Sequence, residues 1–129
     1  MAYTKEKLKQ LLKALKSWEK ALAEPYSDIS RDASIQRYEF SFELLWKTIK
    51  IFLKENEGIE CQSPKSCFRE TRKHFGLTEK EVELCLQMTM DRNTSVHIYS
   101  EKLAKALYKR LKPYLEIAKK ISKNITGKL

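Results

Sequence analysis

Glycine and proline are scarce in this chain, with three of each in 129 residues. That scarcity excludes collagen-like repeats, linker-rich architectures and many-turned all-β folds, all of which need those residues at their turns. Long apolar runs are missing too. No stretch approaches the roughly 18 consecutive apolar residues of a membrane span. The first residues, Met1 to Gln10, carry charges where a signal peptide has its apolar region, so the expectation is a cytoplasmic protein with no membrane partner. The three cysteines, Cys61, Cys67 and Cys85, cannot all pair within one chain, and none sits in a C-x-x-C clamp. The sequence therefore supports neither a disulfide framework nor a structural zinc site and reads these residues as buried or idle thiols. No metal or cofactor is expected.

What is present is apolar and charged side chain. Hydrophobic residues make up 42% of the chain, enough for one domain-sized core spanning residues 1–129 and too few for two. The 26 basic residues outnumber the 17 acidic ones unevenly. Residues 1–24 carry a net +3, residues 25–101 a net −2 and residues 102–129 a net +8, so the positive field belongs to the two ends of the chain. Such a field raises the local concentration of RNA or of an acidic partner at low ionic strength.

The apolar positions recur with helical spacing. Leu8, Leu11, Leu12, Leu15, Trp18 and Leu22 predict a first helix over residues 5–23, ending before Pro25. Ile35, Tyr38, Phe42, Leu45, Ile49 and Phe52 follow a 3-4-3-4-3 pattern in a second helix over residues 28–57, with Phe40, Leu44, Ile51 and Leu53 on its flanks. A helix apolar on more than one side is central or sits at an interface. Gly58 stops it, and Ser63-Pro64 opens a short third helix through Phe75, with Gly76 beyond it. Thr78 and Glu81 have capping-box spacing and begin a fourth helix running to about Arg92, with a break expected at Asn93-Thr94-Ser95. Ser100 caps a basic last helix over residues 100–123. Its inner face holds Leu103, Leu107, Leu111, Tyr114, Ala118 and Ile121, Pro113 is expected to kink it, and residues 124–129 to fray. No strand alternation appears, so the fold class is all-α, an antiparallel bundle of four to five helices.

Histidine is the side chain best suited to proton transfer near neutral pH, and the chain has only His74 and His97. His74, at the end of the short third helix, reads as a capping or surface residue. His97 is different, because Arg92, Asn93, His97 and Tyr99 crowd into eight residues at the expected helix break. On an unbroken helix Arg92 and His97 would point about 140° apart, and a turn between them would let them converge.

Asp91-Arg92-Asn93 followed by His97-Ile98-Tyr99 resembles the R-x4-H-x-Y signature of HEPN-domain proteins. Within that family the likeness is to HepT-like toxins and to the substrate-binding-protein-like partners of minimal nucleotidyltransferases. It extends through Arg31-Asp32-Ala33, Ile35 to Phe40, Phe42-Glu43-Leu44, Trp46-Lys47, Ser63-Pro64-Lys65 and Arg69-Glu70, in order over residues 31–108. One departure is Val96, which stands before His97 where many relatives carry a small serine-like residue.

The resemblance implies a helical homodimer in which Arg92 and His97 of both subunits line a shared cleft. In toxin members that cleft cuts RNA without a metal. Attack by a ribose 2′-hydroxyl needs a base near neutral pKa, which His97 supplies, and a fixed cation on the phosphate, which Arg92 supplies as a planar fork. Asn93 would orient the group or hold the turn. A second proton donor would come from the other protomer, which argues for two-fold symmetry. The resemblance also implies a minimal nucleotidyltransferase partner that transfers AMP to Tyr99, blocking the anion site by charge and bulk. The expected function is thus a toxin of this type. The alternative is a non-catalytic substrate-binding subunit of a two-component nucleotidyltransferase.

Overall fold

The computed structural model describes residues 2–98 and 100–129. Its helices begin where a hydroxyl side chain can accept from backbone N–H groups that the first turn leaves without partners. Ser27 accepts from the Ser30 amide, Ser63 from Ser66, Thr78 from Glu81 and Ser100 from Leu103. These caps delimit α2 (Asp28–Phe52), α3 (Pro64–Phe75), α4 (Glu79–Ser95) and α5 (Glu101–Gly127), which follow α1 (Ala2–Ala23). A π-helical turn, Leu53–Glu57, extends α2 to Gly58, whose φ of +66° reverses the chain. Gly76, at φ +65°, does the same after α3.

Contacts between helices set their directions. Thr4 donates its amide to Glu55 and Arg37 donates to Ser17, so α1 and α2 run antiparallel. The pairs Asp91–Arg110 and Glu81–Lys120 set α4 antiparallel to α5. Arg31–Glu101 and the Tyr38–Tyr114 stack make α2 and α5 run the same way. The result is the expected all-α bundle, with α3 against α2 and α4. The 3-4 stripe explains why α2 is central, for it touches each of the other helices. Tyr38, Phe42, Leu45, Ile49 and Phe52 are all buried there, with Trp18, Phe68, Phe75 and Tyr114 supplying the facing rings.

Several expectations need correction. Cys61 and Cys67 form a disulfide, closing the connection after the π-helical turn onto the first turns of α3 across a Cα–Cα distance of 5.1 Å. Only Cys85 is a free thiol, and burial pushes its pKa up to about 12. The C-terminal residues do not fray after Lys123, because α5 runs to Gly127 and seats Ile125 wholly in the core. Leu103 is more than half exposed instead of sharing the inner face of α5. Helix α4 continues through Asn93-Thr94-Ser95, where the Thr94 hydroxyl donates back to the preceding turn and the Ser95 hydroxyl donates across to Glu39 on α2. The chain then turns at Val96 and His97.

Candidate functional site

The break between α4 and α5 opens onto the N-terminal half of α2. A groove of about 470 Å³ lies there, formed by Asp28, Arg31, Asp32, Ile35, Gln36 and Glu39 on one side and by Ser95, Ile98, Ser100, Glu101 and Ala104 on the other. Four of these side chains are carboxylates. The one cation among the described residues that line it is Arg31, and its side chain is only 8% exposed. Its Nε donates to Asp32 at 2.9 Å, while Nη1 reaches Asp28 at 3.3 Å, the Tyr26 hydroxyl at 3.4 Å and Glu101 at 3.8 Å. The hydrogen bond to Asp32, then that to Tyr26, raises its pKa above the ordinary arginine value, so the guanidinium is charged and already partnered.

Arg92 leaves α4 one turn before the break and folds back onto α2. Its Nη1 is 3.5 Å from Glu39 and 3.4 Å from the Ser95 hydroxyl, and its Nε is 3.8 Å from Glu43. Ser95 closes the loop by donating to Glu39 at 2.5 Å. Glu39 and Glu43, one helical turn apart on α2, therefore present a carboxylate pair to a guanidinium that is about a quarter exposed. The Nε–H of Arg92 is buried without a hydrogen-bond acceptor.

His97 and Asn93 stand exposed at the end of α4. The His97 amide donates to the Thr94 carbonyl at 2.9 Å, which builds the turn. No hydrogen bond or ion pair joins the imidazole to Arg92 or to any other described side chain. Within one chain, then, Arg92 is drawn to α2 while His97 stands exposed. Tyr99 lies outside the described residues. His74 is less exposed than a surface cap, with Nε2 3.4 Å from Glu70 and Nδ1 4.0 Å from Glu57.

A second network was not anticipated from the chain alone. Asp91, the neighbour of Arg92, accepts two bonds from Arg110, at 2.8 and 3.0 Å, and one from the Tyr114 hydroxyl at 2.6 Å. Tyr38 stacks on Tyr114 and donates to the Met88 carbonyl at 2.6 Å. Burial pushes both phenols above their ordinary range, so both remain protonated donors. This network ties the last turn of α4 to α5 and sets the direction from which Arg92 departs. The signal available was the acid–base pair itself, but nothing in its spacing selects Arg110 among the many basic residues of α5.

The fold is thus an all-helical bundle with an open, charged groove at a break between helices. The chain belongs to the family described as nucleotidyltransferase substrate binding protein-like, whose match covers residues 6–126. Among solved structures it is similar to a crystal structure of a protein from Thermus thermophilus, with 37% identity and a TM-score of 0.84 over 89% of this chain and 98% of that one. No curated protein matches.

Proposed function

We propose that the chain is the non-catalytic companion of a minimal nucleotidyltransferase and holds that enzyme's substrate at the groove between α2 and the α4–α5 break. Family membership supports the association with a nucleotidyltransferase. The observation that carries the choice of a binding role is the state of Arg92, which is countered by Glu39 and Glu43 beside a groove lined by Asp28, Asp32, Glu39 and Glu101. A phosphodiester entering that groove meets four carboxylates and one arginine already partnered, and like-charge juxtaposition in an interface is costly.

A second reading, a HEPN-type homodimeric RNase toxin using Arg92, Asn93 and His97 and silenced by AMP on Tyr99, is favoured by the exposure of Asn93 and His97. Both side chains are open to a second copy of the chain. That reading requires Arg92 to exchange Glu39 and Glu43 for phosphate.

Expression alone and with a minimal nucleotidyltransferase from the same genome tests the two. The companion reading expects no growth arrest, a stable complex and a complex weakened by Arg92→Ala. Growth arrest relieved separately by Arg92→Ala and His97→Ala, with added AMP in the intact mass after co-expression, would replace it by the toxin reading.

A further inference from the structure

The face formed by α1 and α5 is far from neutral and is not fully covered. These antiparallel helices leave a furrow between them that shares no lining residue with the groove at the α4–α5 break. One stretch, of about 480 Å³, is floored by Leu22, Tyr108 and Leu115 and edged by Lys109, Lys112 and Glu116 on α5 and by Glu19 on α1. The next, of about 180 Å³, is floored by Leu12 and Leu15 and edged by Lys16 and Lys123. The Lys119–Glu19 ion pair sits where the two stretches meet. Leu12 is 44% exposed, although it lies on a helix whose other leucines are buried or half-buried.

Leucines along a floor, with Lys109, Lys112 and Lys123 along the α5 rim and Lys16 on the α1 rim outnumbering Glu116 once Glu19 is paired with Lys119, form a surface complementary to an amphipathic helix that carries leucines on one face and carboxylates beside them. We propose that the α1–α5 furrow docks an acidic amphipathic helix of a partner protein. From Leu12 to Leu22 the furrow runs about 15 Å at the helical rise, room for some three turns of a bound helix. A single-stranded RNA fits the same surface less well. The rims offer lysine point charges and no free arginine fork, since Arg110 is engaged by Asp91. The floor is also mostly aliphatic, where RNA binding uses stacking platforms. The charge on the terminal segments is thereby given an acceptor of defined shape.

The test uses the full chain and a fluorescein-labelled, helix-stabilised peptide with leucines at i, i+3, i+4 and i+7 and glutamates between them. Comparison probes are a peptide of the same composition in scrambled order and a short single-stranded RNA. Anisotropy should show binding of the ordered peptide that weakens as salt rises. It should weaken about tenfold or more in Leu12→Glu and in the double variant Lys112→Glu/Lys123→Glu, where repulsion replaces attraction. All three positions are exposed, so folding is checked by circular dichroism and is expected to be unchanged. Amide shifts of the unmutated protein should move at Leu12, Leu22 and Leu115, a readout that needs no variant. Equal binding of the scrambled peptide, shifts confined to the α4–α5 break, or RNA displacing the peptide from the furrow would each overturn the proposal. So would a Leu12-dependent dimer of the chain alone in sedimentation, since the occupant would then be a second copy. None of these readouts depends on the α4–α5 groove, so failure here leaves the companion reading standing.

Discussion

Asp91 and Arg92 are adjacent in the chain, yet their side chains leave α4 in different directions, and that divergence organises the site. Asp91 is gripped by Arg110 and Tyr114 on α5, and Arg92 faces Glu39 and Glu43 on α2. The Asp91 side chain is 17% exposed, so removing its charge leaves Arg110 with a much poorer acceptor in a partly dry setting. Asp91→Asn should cost about 2 kcal/mol, read as a lower urea midpoint at unchanged slope. Tyr114→Phe, which deletes one hydrogen bond and keeps the stacked ring, should cost about 1 kcal/mol by the same measurement. The sequence showed Arg92, Asn93 and His97 as a group because they are close in number. It did not show that Arg92 turns inward, because Glu39 and Glu43 lie some fifty residues away and only the meeting of α2 and α4 brings them near. The Cys61–Cys67 disulfide was missed for a different reason: no rule of spacing tells a pair of thiols six residues apart from a bonded one until the path of the chain into α3 at Ser63-Pro64 is known.

At the scale of elements, the helix starts were legible because capping is local. Ser63, Thr78 and Ser100 each sit three residues before the amide they accept from, and that distance is visible in the chain. Helix ends were less legible. Continuation through Asn93-Thr94-Ser95 goes with the Thr94 hydroxyl bonding back along the helix and Ser95 reaching Glu39 on α2, and the run of α5 past Lys123 depends on a tertiary pocket for Ile125. Thr78→Ala should lower stability by about 1 kcal/mol, because it opens the capping box at the start of α4. The same turn carries a pH dependence. Glu81 is hydrogen-bonded by Lys120 and then by the Thr78 amide, which holds its pKa below the ordinary 4.5. The unfolded chain therefore binds a proton more readily than the fold does as the solution is acidified. The contribution of Glu81 is complete above about pH 5.5 and is lost as pH falls through 4.5 and below. Lys120→Ala should flatten the acid limb of a plot of urea midpoint against pH and leave the Thr78 cap in place. Reduction of Cys61–Cys67, or Cys61→Ser, should lower the midpoint by an amount equivalent to about 2 kcal/mol, the loop-closure value for so short a ring.

At the scale of the whole molecule, α5 is the strut against which α1, α2, α3 and α4 all rest. The buried side chains form one cluster that runs from Leu8 on α1 to Ile125 near the end of the chain. Two outcomes are therefore distinguishable for a chain ended after Lys123. Were residues 124–129 a loose tail, their removal would leave the unfolding midpoint unchanged. Because Ile125 is fully buried and α5 continues to Gly127, removal instead opens the core at its end and strips α5 of its last turn. Ile125→Ala alone should cost about 3 kcal/mol, within the range for emptying a packed aliphatic site. The truncated chain should lose more than that substitution does, since it also gives up the carbonyl acceptors that cap the helix at Lys128. The loss should appear as a single transition followed equally by far-ultraviolet circular dichroism and by tryptophan fluorescence. Trp18 on α1 and Trp46 on α2 both belong to or pack against the cluster that α5 completes. Separate transitions for the two signals would mean that α1 and α2 hold together without α5, and the α1–α5 furrow would then be a contact between independently stable parts.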